Sequence, residues 1–464
     1  MMDISSNKEI GSIQTEYGPG LMITDAEKKK LFVLHKDKSN VSVINIKNVF
    51  PIYTQEWYKW WEGIYSAIGE DIALDSKFNI YLVGYTSSSS GNYDAFIVKY
   101  NSSGIQIWNR TWGGSGADEA LGVVVDQNDY IYVTGATTSF GAGYNDIFLI
   151  KFSSNGTELW NLTWGGSSDD VAETIAHGDD CIYLAGYSGS FSTGDATGIL
   201  IKFNSSGIQD WNLSWNGISR DISVDCENNI YLTGYTAILT AGSNDAYIAK
   251  YNSSGTLLWN KTWGGAKWDE GACITVDRNN NIYLSGISYS WSPDPLYSDI
   301  FLIKYDSQGN KIWQTIWGGF YHDRVFDIVV DNYGYIYLTG ELFTYSYYRD
   351  SHVFTLTESF DAFVIKYDSG GNEIGHRIWG GTGLRDRGNG IAIDNNGNCY
   401  IAGETWIETE NYGFLPNAFV FKCSLFNPGH APQFEWLFLM ILIEIICLTI
   451  IEIRYFKTNE EVKT

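Results

Sequence analysis

The sequence predicts an all-β fold: a single eight-bladed β-propeller, with seven blades as the alternative, closed by an N-terminal strand and followed by one C-terminal transmembrane helix. Three observations carry this reading. A four-part β-rich unit recurs along most of the 464 residues. Gly, Asn and Ser turns separate its parts, and no helical period intervenes. One apolar run of helical length stands alone near the C-terminus.

A short apolar run ending in Gly occurs seven times: IYLVG from Ile80, IYVTG from Ile131, IYLAG from Ile182, IYLTG from Ile230, IYLSG from Ile282, IYLTG from Ile336 and CYIAG from Cys399. The closing glycines, Gly84 to Gly403, recur about every 53 residues. A second run follows each, DAFIVKY from Asp94 being the pattern. A polar turn such as NSSG and a Trp-bearing segment such as LWNKTWGG come next in six copies, and a segment like GVVVD precedes each apolar run. These are strands A to D of an antiparallel blade. An immunoglobulin-like array needs about 100 residues per domain, so the propeller is the economical reading.

The residues before the first clear copy fit the same template, with GLMITD from Gly20 as A, LFVLH from Leu31 as B, VSVINI from Val41 as C and FPIYTQEW from Phe50 as D. That makes eight A to C sets, and the last has no D strand after it. Lys8 to Tyr17 resembles the D strand NEIGHRIW from Asn372, so pairing it with the last set would close the ring and remove both exposed sheet edges. The expected propeller spans 1–423, with strand 8–17 completing the last blade and blades at 18–62, 66–112, 117–164, 170–215, 218–263, 270–317, 324–379 and 386–423. A linker at 424–433, a membrane helix at 434–453 and a short cytoplasmic tail at 454–464 follow.

The Y-[LVI]-x-G, D-x-F-x-[IV]-K-Y and W-G-G signatures resemble the SBBP-type β-propeller repeat of archaeal and bacterial surface proteins, over Gly18 to Cys423. The resemblance implies the fold and surface display, and brings no catalytic residues with it. Departures are Trp215-Asn216-Gly217 in place of Trp-Gly-Gly, and the diverged first set.

The formal net charge of −24 opposes binding of nucleic-acid backbones and suits cations or basic groups. The six cysteines lie far apart without C-x-x-C, and beside strand residues they read as small apolar fillers. No cofactor is expected, Ca²⁺ being the one ion the acidic connections suggest. Nothing in MMDISSNKEIG forms the apolar run of a secretory signal.

In a blade of this kind the D-to-A and B-to-C connections share one face, and the A-to-B and C-to-D turns share the other. Turns on the second face are short and alike, whereas connections on the first are long and varied, as binding faces of rigid scaffolds are. Acidic residues recur at the D-to-A connection: Asp118, Glu119, Asp169, Asp170, Asp269 and Glu270 are candidates for a cation ring at the channel mouth, against the reading that each accepts hydrogen bonds within its own turn. Asp residues of the A-to-B turn, such as Asp75 and Asp225, read as Asx-turn acceptors. The tryptophans Trp112, Trp164, Trp263, Trp317 and Trp379 read as packing between blades.

Positions that break the repeat are the stronger ligand-binding candidates: His322, Asp323 and Arg324 at one blade entrance, Tyr345, Tyr347, Tyr348, Arg349 and His352 in the longest loop, and Arg385, Asp386 and Arg387 at the next entrance. No Ser-His-Asp or paired-carboxylate constellation is identifiable from spacing, so no catalytic residue is named. Sequons occur at Asn40, Asn101, Asn109, Asn155, Asn161, Asn204, Asn212, Asn252 and Asn260, the last eight in C-to-D turns or D strands of consecutive sets.

Phe434 to Ile453 is apolar enough and long enough to cross a bilayer, with Trp436 and Tyr455 at its interfaces and Arg454, Lys457 and Lys463 beyond it. Glu444 near its middle points either to a partner transmembrane helix or to a neutral acid in a lone anchor. The expected protein is therefore a non-enzymatic, single-pass cell-surface glycoprotein whose propeller lies outside the membrane and binds an unknown protein, glycan or cation. Two alternatives stand beside it: a hydrolase or lyase acting at the channel mouth, and a cytoplasmic, tail-anchored scaffold.

Overall fold

The computed structural model describes residues 54–424, apart from 62–65, 88–90, 192–196, 237–242, 293–295, 320, 351–352, 381–384 and 410–412, together with five short strands before residue 46. Seven four-stranded antiparallel sheets form a propeller. Blade 1 runs outward from strand A, Ala67–Leu74, through Ile80–Ser87 and Tyr93–Tyr100 to strand D, Gln106–Trp112. Blades 2 to 6 repeat this order, their A strands being Asp118–Val125, Asp170–Gly178, Ile218–Val224, Asp269–Val276 and Asp323–Val330. Blade 7 takes Asp386–Ile393, Asn398–Thr409 and Gly413–Ser424 from the end of the chain and its fourth strand, Thr54–Trp61, from the beginning. In that pairing Trp61 lies opposite Ala418 and Trp57 opposite Lys422.

The blade count and the closing strand correct two expectations. There are seven blades, and the closing strand is Thr54–Trp61, not Lys8 to Tyr17. Within 8–17, Lys8–Glu9 pairs with Met2–Asp3. The expected first blade is divided: Met22–Asp25, Lys30–Leu34 and Val41–Asn45 form a separate three-stranded sheet, while Thr54 to Trp57 of its expected D strand belong to the last blade and 50–53 lie outside the described residues. The blades differ from this sheet in their B-strand glycine. At Gly84, Gly135, Gly186, Gly234, Gly286, Gly340 and Gly403 an added Cβ would stand 1.8–2.0 Å from a carbonyl oxygen of the adjacent A strand, where the A strand is bulged. LFVLH has no glycine, so Met22–Asp25 and Lys30–Leu34 pair without the glycine that every blade has opposite its A-strand bulge.

The rest of the repeat is accounted for residue by residue. Asp225 in the A-to-B turn accepts the N–H groups of Glu227 and Asn229 and the hydroxyl of Tyr231, an arrangement repeated at Asp75, Asp277 and Asp394. The C-strand lysine lies over the B-strand tyrosine and reaches the next blade, as Lys99 does to Tyr81 and to the carbonyl of Ser154 at 3.0 Å. D-strand tryptophans pack on the C-strand phenylalanine of the following blade, Trp112 on Phe148 at 4.6 Å and Trp263 on Phe301 at 4.2 Å. Trp61 makes this contact with Phe96 of blade 1 at 4.0 Å, so the closing strand supplies both the ladder and the inter-blade packing that completes the ring. Cys181, Cys226, Cys273, Cys399 and Cys423 are free thiols, four of them buried.

The linker, membrane helix and tail expected beyond residue 424, with Glu444, lie outside the described residues. Among the described residues no helix is long and apolar enough to cross a membrane.

Candidate binding site at the channel mouth

The seven A strands stand side by side around a central channel, that of blade 7 against that of blade 1. The channel holds a cavity of about 730 Å³. Three aspartates tie its wall together. Asp71 accepts the N–H of Val123 in the next blade at 2.8 Å, Asp221 that of Ile274 at 2.7 Å and Asp327 that of Ile391 at 2.8 Å. Burial pushes Asp71 up to about 6 and Asp221 up to about 7, against the N–H bonds that hold the charged form, and pushes Asp327 up as well. Glu70, beside them, is raised to about 8 by burial, with Arg387 opposing the rise.

Across blades 3, 4 and 5 the channel is bridged by one cation. Arg220 places Nη1 2.7 Å from Glu173 Oε1 and Nε 2.7 Å from Glu270 Oε1. Two acids here share one base, and the bridge is closed on itself.

Blades 6 and 7 carry the reverse arrangement. Glu341 directly follows the B-strand glycine of blade 6, where other blades have Tyr85, Ala136, Tyr187, Tyr235 and Ile287. Its side chain is fully buried, and three arginines converge on it: Arg385 through Nε at 2.9 Å and Nη2 at 3.0 Å, Arg387 through Nε at 3.2 Å and Arg324 through Nη1 at 3.4 Å. Arg387 also reaches Glu404, the equivalent residue of blade 7, at 3.5 Å. Burial raises the Glu404 carboxyl above its usual range, with Arg387 and Arg385 opposing. Arg387 lies over the ring of Phe326 at 4.3 Å and Arg385 over that of Phe360 at 5.6 Å. An aromatic row continues from there, Phe360 to Phe343 at 5.3 Å, Phe343 to Tyr321 at 4.6 Å and Tyr321 to Tyr297 at 5.2 Å.

The sequence-derived candidates divide. Arg324, Arg385 and Arg387 come together. His322 stands at their edge against Tyr289 and Tyr297, and burial and Arg324 lower its pKa. Its Nδ1 is 3.2 Å from both the backbone N and the hydroxyl of Ser298, a fully buried residue; this contact locks a turn and offers no hydroxyl to an outside substrate. Asp323 and Asp386 are buried at the starts of their A strands. The expected loop holding Tyr345, Tyr347, Tyr348 and Arg349 is a β-ribbon: Ile336–Asp350 pairs with Val353–Tyr367, with Tyr345 opposite Glu358 and Arg349 opposite Phe354. Those side chains, and His352 altogether, lie outside the described residues. The long alternation of strand-forming residues in YLTGELFTYSYYR was the overlooked signal.

The six acidic candidates do not share one ring. Asp118, Asp170 and Asp269 are buried at the junction with the preceding blade, each accepting two side-chain hydroxyls and at least one backbone N–H, as Asp118 does from Thr137, Ser139 and Gly114. Asp169 is exposed and accepts from Asn145 at 2.8 Å. Glu119 and Glu270 stand at the second position of their A strands, Glu270 in the cavity wall and tied to Arg220. Among the described residues no three His, Cys, Asp or Glu side chains are placed to hold a metal ion. Asn109, Asn161, Asn212 and Asn260 occupy equivalent exposed positions on the D strands of blades 1 to 4. Asn101, Asn204 and Asn252 cap the C-to-D turns through their side-chain oxygens, Asn155 accepts from Ser153, and Asn40 is outside the described residues.

The chain is similar to several known proteins. A relative in Acanthamoeba polyphaga mimivirus, an uncharacterized WD repeat-containing protein, is 24% identical over 178 residues, a match that spans 29% of this chain and 13% of that protein. Among solved structures, YCF48 bound to D1 peptide aligns at 9% identity over 82% of this chain and 99% of its own, with a TM-score of 0.46. The β-propeller domain of the Trilobed protease from Pyrococcus furiosus aligns at 12% identity over 80% and 98%, with a TM-score of 0.42. A gluconolactonase from Xanthomonas campestris aligns at 10% over 71% and 94%, with a TM-score of 0.35. Residues 374–408, from the D strand of blade 6 into the B strand of blade 7, match the SBBP β-propeller repeat, and the chain is a propeller carrying that repeat.

Proposed function

We propose that this chain is a non-enzymatic binding propeller, held at a cell surface by residues 434–453, which takes up a protein or glycan on the face formed by the D-to-A and B-to-C connections. One observation carries the binding part: at blades 6 and 7 that face gathers three arginines, a row of aromatic rings and the base of a β-ribbon, while the C-to-D turns of the opposite face are built alike. Arginine and aromatic side chains together are typical of interaction hot spots. Anchoring is supported by the apolar sequence of 434–453 and external display by the eight sequons of blades 1 to 4.

The test is a screen of the detergent-solubilised full chain against glycans and surface proteins, followed by Tyr321→Ala and Phe343→Ala. The proposal expects a ligand whose binding falls at least about tenfold in both variants, the effect of losing a hot-spot aromatic. A ligand that binds both variants as tightly as the parent chain would contradict it, as would turnover of a screened substrate.

A further inference from the structure

We infer that the cluster at the mouth of blades 6 and 7 is an oxyanion-binding site, in which Arg324, Arg385 and Arg387 receive a carboxylate or phosphate group above the buried Glu341. The inference rests on the binding face proposed above and names the chemistry its ligand must carry.

Charge is the first argument. Three guanidiniums make ion pairs with two carboxylates, Glu341 and Glu404, and a further acid near Arg387, Glu70, is raised to about 8 by burial. The cluster is therefore positive inside a chain whose formal net charge is −24. The Arg220 bridge across the same channel shows the opposite balance, two acids on one base. A local surplus of positive charge, kept where the surroundings are acidic, is explained by an anion that completes it.

Geometry is the second argument. Glu341 accepts three hydrogen bonds, two from Arg385 and one from Arg324, and Arg387 Nε stands 3.2 Å away as an ion-pair contact without a hydrogen bond. Three guanidiniums carry about fifteen N–H donors, and about ten are left without an ion-pair contact among the described residues. The arginine side chains are 42%, 37% and 24% exposed at 324, 385 and 387, with Arg387 Nε itself buried, whereas Glu341 is completely covered. Phe326 and Phe360 pack against the guanidiniums of Arg387 and Arg385. Glu341 thus acts as the floor that draws three cations together and keeps them in place, and the forks above it suit the paired oxygens of a carboxylate or phosphate.

The test is calorimetric titration of the full chain in detergent, at low salt, with citrate and separately with inorganic phosphate. Saturable binding of either is expected, citrate alone marking a planar carboxylate site and phosphate alone a tetrahedral one. Arg385→Gln and Arg324→Gln should each weaken it at least about tenfold, the worth of a charge-assisted bond. Arg385→Lys, which keeps the charge but loses the fork, should fall between, and Arg110→Gln on an outer strand should change nothing. Glu404→Gln should tighten binding by enlarging the positive surplus. No saturable heat with either anion overturns the inference, as does equal binding by Arg385→Gln and the parent with unchanged thermal midpoints. A screened ligand that binds Arg385→Gln normally but is lost in Tyr321→Ala would overturn the oxyanion site and leave the binding face standing.

Discussion

Replacing Arg220 by Met removes the cation that Glu173 and Glu270 share across three blades. Its Nη1 lies 2.7 and 3.0 Å from the two Glu173 oxygens and its Nε 2.7 Å from Glu270. A hydrogen bond to a charged group contributes about 1.5–3 kcal/mol, and two carboxylates lose theirs. Because the Arg220 side chain is 36% exposed, solvent screening brings the total down to about 2–3 kcal/mol. Loss of the cation also leaves two like charges facing each other. Burial already holds the Glu173 carboxyl above its usual range while Arg220 opposes, so without Arg220 it rises further and takes up a proton at a higher pH than in the parent chain. The cost should therefore be largest at pH 8 and shrink at pH 5.5. Urea unfolding followed by tryptophan fluorescence at both values reads this directly, and Glu173→Gln in the Arg220→Met background should recover about half of the loss at pH 8. A loss below about 0.5 kcal/mol at pH 8, or an equal loss at both pH values, would refute the reasoning.

The parent chain should itself be more stable at pH 5.5 than at pH 8. Glu70, Asp221 and Asp323 reach about 8, 7 and 7 by burial, so the folded chain keeps protons that the unfolded chain releases near pH 4, and stability falls as pH rises through that window. A thermal midpoint that rises from pH 5.5 to pH 8 would contradict the placement of these groups. Gly318→Ala should destabilise by about 1–3 kcal/mol, because its Cβ would lie 2.2 Å from Asp299 Oδ1 and 2.8 Å from Asp323 Oδ2. Gly319→Ala next to it, with no atom of the described residues nearer than 3.9 Å, should be close to neutral; equal urea midpoints for the two would count against the junction geometry. Trp61→Ala should cost about 3–5 kcal/mol through its contact with Phe96, and an unchanged midpoint would remove Trp61 from the closure.

Much of this architecture was legible in the sequence because each repeated residue has a local task. The B-strand glycine, the turn aspartate and the D-strand tryptophan recur at a fixed spacing, and each acts on its own blade or the next. The segment FPIYTQEW was recognisable as a D strand, but its sheet was not, since a pattern of alternation shows that a residue run is a strand and says nothing of its partner. Trp61 held the missing clue, standing where Trp112 and Trp263 stand in their D strands. At the site, Arg324, Arg385 and Arg387 were visible as breaks in the repeat. Glu341 and Glu404 were overlooked because one acid per strand end has no local signature; their role comes from cross-strand register, Arg324 opposite Glu341 and Arg387 opposite Glu404. The acidic connections likewise looked like one ring, because spacing alone does not distinguish Asp118, turned into a blade junction, from Glu119 beside it.

The central claim is that a ring of seven blades is closed by Thr54–Trp61 in the last of them. Lys59 lies opposite Val420 in that pairing. Directly opposed residues of antiparallel strands have Cα atoms about 4.5–5.5 Å apart, within the span of a disulfide. The most direct measurement is mild oxidation of the chain carrying Lys59→Cys and Val420→Cys, followed by peptide mapping. The account predicts a cross-link between positions 59 and 420, and none when Glu9→Cys replaces Lys59→Cys; a cross-link from position 9 and not from position 59 would contradict it.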